Sequence, residues 1–152
     1  MLAQIMPYLM TWILSVAMLI EVRTGKIPNW LTLVPFALFI ILAITLDDKS
    51  VLMWSLGLGA LVFIAGLLLF AFAGFGAGAV KLMIGLALFI PLDNIWAALG
   101  MFIFSLFVVG WICIQARRRE TAKDSKWVVL NRNVLPMSIP LTITALSVFF
   151  LF

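Results

Sequence analysis

Two short stretches hold the residues of this 152-residue chain that could do chemistry. The first reads Glu21-Val22-Arg23-Thr24-Gly25-Lys26-Ile27-Pro28-Asn29, and its acid stands at the end of an apolar run. An ionisable group there is costly in a membrane and so is a candidate for function; local pairing with Arg23 or Lys26, or contact with water, is the plain alternative. Pro28 and Asn29 suit a turn or a helix start. The second stretch reads Gly74-Phe75-Gly76-Ala77-Gly78-Ala79-Val80-Lys81-Leu82. Its alternating glycines imply non-helical backbone or very tight packing. A phosphate-cradling loop is rejected, because the spacing is wrong, no Ser or Thr follows Lys81 and no strand precedes it. Lys81 either anchors a helix end or orients a carboxylate or a substrate. With no histidine and one cysteine, Cys113, a disulfide framework and the common zinc signatures are excluded. Cys113 is expected to pack, and neither a metal nor a cofactor is expected.

The elements that must position these stretches are helices in lipid. Hydrophobic residues make up 66% of the chain and charged residues 11%, with a mean hydropathy of +1.27. A water-soluble fold of this size could not hide so much apolar surface, whereas a hydrocarbon solvent removes the need for a polar exterior. An all-α polytopic membrane protein of about six transmembrane helices follows, built as a single membrane-embedded domain over residues 1–152. A span needs roughly 20 apolar residues, fewer when its flanks snorkel. Six stretches qualify: Ala3 to Ile20, Trp30 to Leu46, Val51 to Ala73, Val80 to Ile90, Ile95 to Ala116 and Val134 to Phe152. The fourth is too short alone and must borrow residues from the glycine-rich stretch or from Pro91. Gly57, Gly59, Gly66, Gly100 and Gly110 are expected to allow close helix packing.

Charge sets the orientation. Of the ten basic residues, nine fall in the first, third and fifth connections: Arg23, Lys26, Lys81, Arg117, Arg118, Arg119, Lys123, Lys126 and Arg132. The second connection holds Asp47, Asp48 and Lys49, and the fourth holds Asp93. By the positive-inside rule the odd-numbered loops face the cytoplasm and both termini face away from it. The net charge of +4 is thus topological, and no nucleic-acid partner is expected. Arg117 to Arg119 are expected to anchor the fifth helix and touch anionic lipid. Trp127 with Val128 to Leu130 reads as a segment lying on the membrane surface.

At these two stretches, and at Pro136 to Pro140 opening the last helix, the sequence resembles the prepilin peptidase family of bacteria and archaea. The nearest type is the compact form that serves tight-adherence (Flp/Tad) pili. In that family the first loop carries an Asp followed by Arg-Thr-x-x-Ile-Pro-Asn, and the third carries Gly-x-Gly-Asp-x-Lys-Leu. The present chain matches the first from Val22 through Asn29 and the second at Gly76, Gly78, Val80, Lys81 and Leu82. The resemblance implies a multi-pass protein of the cytoplasmic (inner) membrane and an aspartic endopeptidase. It would cut the basic leader from a prepilin-type precursor at the cytoplasmic face, with no cofactor. It also implies that Arg23, Lys26, Pro28, Asn29, Gly76, Gly78 and Lys81 shape the site or hold substrate. The cysteine-bearing region of family members that also methylate is not expected, and a homodimer is compatible with the pattern.

The family's chemistry needs two carboxylates sharing a proton, one activating water and the other polarising the scissile carbonyl. Here Glu21 stands in the first Asp position and Ala79 in the second. A Glu reaches about an ångström too far, and an Ala removes the group. Asp47, Asp48 and Asp93 are expected on the opposite face, while Glu120 and Asp124 lie in a solvated loop. The chain as written is therefore expected to be inactive or severely impaired. The alternative is a non-catalytic, prepilin-binding pilus assembly component. A small transporter is disfavoured, since Thr11, Ser15, Thr45, Ser55, Ser105, Thr142 and Thr144 are too scattered to trace a path.

Overall fold

The computed structural model describes residues 2–46, 48–73, 75–119 and 135–151, and within them every regular element is helical. In chain order they are α1 (Leu2–Thr24), α2 (Asn29–Thr45), α3 (Lys49–Ala73), α4 (Ala77–Ala87), a 3-10 turn (Leu92–Asn94), α5 (Ile95–Arg119) and α6 (Ser138–Phe150). Three of these, over Ile5–Thr24, Lys49–Phe72 and Leu92–Ala116, are long and apolar enough to cross a membrane. Three shorter apolar helices, α2, α4 and α6, complete the bundle.

The packing has an inside and an outside. Helices α1, α2, α4 and α6 touch in a closed ring, while α3 lies against α4 and α5 against α6. The ring surrounds a core of Met10, Leu14, Ala17, Leu31, Leu82, Leu86, Leu141 and Ala145. The outer helices turn large apolar side chains such as Phe63, Leu68, Phe72, Phe104, Phe107 and Trp111 outward. An apolar exterior of this extent is stable only against lipid. The three short helices thus form the inner ring together with α1, and the long helices α3 and α5 lie outside it.

Helix α4 begins three residues earlier than the apolar pattern places it and stops at Ala87. Its small first residues, Ala77 to Ala79, carry little apolar weight yet continue the helix. The rest of the crossing is irregular: Phe89 and Ile90 donate backbone N–H bonds to Leu86 (3.0 Å) and Ala87 (3.3 Å). The Ile90 carbonyl accepts the indole N–H of Trp54 at 3.3 Å. These partners satisfy the non-helical backbone there. Close approach of neighbouring helices comes from fewer glycines than expected. A Cβ on Gly59 would lie 2.7 Å from Leu88, one on Gly66 2.6 Å from Val80, and one on Gly85 2.6 Å from Pro35. Gly57, Gly100 and Gly110 meet nothing within 4 Å, which corrects the expectation for those three.

Hydroxyls inside the bundle bond mostly to their own helices. Thr11 donates to the Pro7 carbonyl, Ser15 to Thr11, Thr142 to Ser138 and Thr144 to Pro140. Ser105 is an exception that also reaches across from α5 to the Pro140 carbonyl at 3.3 Å. Groups so engaged do not line a hydrophilic path. The segment containing Trp127 to Leu130, with Glu120, Lys123, Asp124, Lys126 and Arg132, lies outside the described residues, as does Asp47.

Candidate functional site

The inward-facing stripes of three helices run out at the same end of the ring. On α1 the stripe is Met10, Leu14, Ala17 and Glu21; on α4 it is Ala79, Leu82 and Leu86; on α6 it is Ser138, Leu141, Ala145 and Val148, all buried. Each follows the three- and four-residue spacing of a helix face. Glu21, Ala79 and Ser138 are therefore each the last buried step of an inner helix, one turn past the shared core.

Helix α1 carries Glu21 in its last turn and not in the loop, because the helix runs on through Thr24. It stops at Gly25, whose φ of 68° lies in the left-handed region open to glycine. The Gly25 N–H donates to the Glu21 carbonyl at 2.7 Å. Thr24 donates to the Ile20 carbonyl at 2.8 Å, which pins the same turn. The chain then reverses through Ile27 and Pro28, and Pro28 caps α2, its carbonyl accepting the N–H groups of Leu31 (3.1 Å) and Thr32 (3.4 Å).

The first loop lies directly on the start of α4. A Cβ on Gly78 would fall 3.0 Å from Ile27 Cβ and 3.4 Å from the Ile27 carbonyl oxygen, so only glycine fits there without displacement. One turn further on, Lys81 Nζ donates to Asn29 Oδ1 at 3.2 Å. Both sequence motifs thus meet through Ile27 and Asn29 on one side and Gly78 and Lys81 on the other. Gly76 is exposed and meets nothing within 4 Å; it is the residue before α4, its carbonyl accepting the Val80 N–H at 3.2 Å. Arg23 and Lys26 stand exposed to solvent.

Ala79 is 2% exposed and is the third residue of α4. In a helix the first N–H groups have no partner within it, and an acid at the third position reaches back toward them. The alanine provides no such acceptor and no ionisable group. Glu21 is 6% exposed. Its Oε2 accepts the backbone N–H of Ser138 at 2.8 Å, and the Ser138 hydroxyl donates to the same oxygen. The plain expectation that Glu21 pairs with Arg23 or Lys26 gives way to this bond to the far end of the chain.

Ser138 was not among the residues that the sequence singled out, although the Pro136 to Pro140 opening of the last helix was. A serine at a helix start is a capping type, but its partner is 117 residues away. No group of three or more metal-ligating side chains comes together among the described residues. A cavity of about 280 Å³ lined by Tyr8, Thr11, Trp12, Ser15 and Phe150 lies elsewhere on α1 and α6, away from Glu21.

Residues 8–114 match the sequence model of the type IV leader peptidase family. No curated protein and no solved structure matches the chain significantly. The matched segment takes in α1 through most of α5 and both motif stretches, which is well over half of the chain, and so the protein belongs to the type IV leader peptidase family.

Proposed function

We propose that this chain is a prepilin peptidase-like protein of the inner membrane that, with Ala79 in place, engages prepilin-type precursors but does not cut them. In this reading residues 1–152 form one domain, and the end of the ring holding Glu21, Ala79 and Lys81 faces the cytoplasm. The observation that carries it is Ala79: a buried methyl where the family's second carboxylate belongs. Hydrolysis of a peptide bond by this route needs one acid to take a proton from water while a second polarises the carbonyl. Glu21 alone offers half of that pair.

The two motif stretches pack together with Glu21 and Ala79 in place. The Ile27 contact with Gly78 and the Lys81 bond to Asn29 hold the two stretches together. That packing favours a binding role in pilus assembly, in which Arg23, Lys26, Pro28, Gly76 and Lys81 present the precursor's leader region without cleavage.

The test is an in-membrane assay with a co-expressed tight-adherence prepilin, read as precursor size. The unmodified chain is expected to leave the precursor intact while co-purifying with it. Strong cleavage by the unmodified chain would overturn the inactive reading, and failure to retain any prepilin would overturn the binding one.

A further inference from the structure

The start of α6 is buried, and two of its backbone donors are satisfied along their own chain. The Ile139 N–H donates to the Pro136 carbonyl and the Leu141 N–H to the Met137 carbonyl, both at 3.4 Å, while Pro140 has no N–H. Among the described residues the Ser138 N–H has no such local acceptor. It belongs to the first helical residue, which is 0% exposed, so water cannot serve it either. A buried N–H without a partner is costly, and the partner here comes from α1. Glu21 Oε2 lies 2.8 Å from that nitrogen and takes the serine hydroxyl as well.

The length of the acid matters. An Asp at position 21 would end one carbon–carbon bond, about 1.5 Å, short of this point. A bond of 2.8 Å lengthened by even half of that falls outside hydrogen-bonding distance. The glutamate therefore fits a task that an aspartate would not perform, and its partner lies beyond residue 114, where the family match ends.

We propose that Glu21 and Ser138 form a latch that fastens the start of α6 to the end of α1, with Ser138 as the positioning residue that fixes where the Glu21 carboxylate stands. The carboxylate is held on the α6 side of the interior. Supplying a second acid at position 79 consequently does not suffice to rebuild a working pair. The pair returns only when the first acid is also freed from α6 by shortening it.

Two experiments test this, and the first is independent of any peptidase reading. Thermal unfolding in detergent micelles is compared for the native chain, Ser138→Ala, Ser138→Thr, Glu21→Met and the Glu21→Met/Ser138→Ala pair. Ser138→Ala is expected to lower Tm by a few degrees in the native background, and Ser138→Thr to restore most of it. In the Glu21→Met background, where the hydroxyl has lost its acceptor, Ser138→Ala is expected to be neutral or to raise Tm. An equal loss in both backgrounds overturns the latch. The infrared carboxyl band of Glu21, identified by its disappearance in Glu21→Gln, is expected to shift in Ser138→Ala; an unmoved band also overturns it.

The second experiment rests on the peptidase reading proposed above. A co-expressed prepilin is exposed to Ala79→Asp and to Ala79→Asp combined with Glu21→Asp. The single variant is expected to stay at background and the double to exceed it by about a hundredfold or more, the usual contribution of a working acid–base group. Equal cleavage by both overturns the latch and leaves the peptidase site standing. No cleavage by either overturns the peptidase reading, and the latch is then judged on the unfolding and infrared results alone.

Discussion

Helices α4 and α6 are built alike and begin differently. Both are short and belong to the inner ring, each flanked by a long outer helix, and both start at the end where α1 stops. Yet α6 opens with its first N–H held by a carboxylate from another helix, while α4 opens on glycines and alanines with no side-chain cap. In lipid, where water does not serve a buried helix end, the two starts have opposite requirements. The α6 start is closed and structural. The α4 start leaves the amides of Ala77, Gly78 and Ala79 without acceptors inside the helix, beside a loop that carries Asn29 and faces Lys81. Position 79, the third residue of α4, is an alanine, which offers these amides no acceptor. The Glu21 carboxylate of α1 serves the α6 start instead.

The sharpest way to break this contrast is to make the α6 start resemble the α4 start. Glu21→Ala removes the acceptor for the Ser138 N–H and hydroxyl and leaves both buried without a partner. Each such group costs about 1–3 kcal/mol, so the variant is expected to be among the most destabilised single substitutions at this end of the bundle. Unfolding in micelles reads the loss. A change of less than about 0.5 kcal/mol would mean that α6 holds its place without the Glu21 bond, and the contrast between the two helix starts would lose its physical basis.

The next test concerns what fixes α4 in the absence of a cap, which is close packing. Gly85→Ala places a methyl 2.6 Å from Pro35 Cβ, a ring atom that cannot swing away because the pyrrolidine ring ties it to the α2 backbone. The helices must separate, at a cost of about 1–3 kcal/mol. Gly57→Ala meets nothing within 4 Å. It is expected to be neutral or to stabilise by up to about 1 kcal/mol, the helix-propensity gain of Ala over Gly. Equal effects from the two substitutions would show that the α2–α4 contact does not depend on the missing side chain.

Much of this arrangement was legible in the sequence, and the reasons for the remainder are physical. Helix existence and order follow from apolar length, which is why α1, α2, α3 and α5 fall close to their expected places. The apolar pattern alone starts α4 at Val80, because Ala77 and Ala79 weigh little on a hydropathy scale, and the residues that the short segment must borrow come from the glycine-rich stretch before it. The motif residues Gly78, Asn29 and Lys81 lie together in the structure, a contact that the sequence did not specify. Glycine spacing misled at Gly57, Gly100 and Gly110, since a glycine in lipid can face outward at no steric cost. The Glu21 bond to Ser138 left no trace in the sequence, because contact between residues 117 apart produces no periodicity and no local motif.

The smallest expected effect comes from a third helix start, that of α3, which faces solvent and is capped by its own chain. Asp48 Oδ1 accepts the Ser50 N–H at 2.8 Å and the Ser50 hydroxyl at 2.7 Å. These bonds, the hydroxyl first, favour the charged form and hold the Asp48 carboxyl below the usual aspartate range. A depressed acid adds stability that is present above its unfolded value, near 3.9, and is lost as pH falls through the lower folded value. Asp48→Asn is therefore expected to leave Tm nearly unchanged in strong acid and to lower it slightly above about pH 4, flattening the acid side of the profile. The same scan on Ser50→Ala is expected to reproduce most of that flattening, since the serine supplies the leading cause of the shift. An acid limb unchanged by either substitution would show that the exposed α3 cap contributes nothing, and that only the buried start at Ser138 depends on its carboxylate.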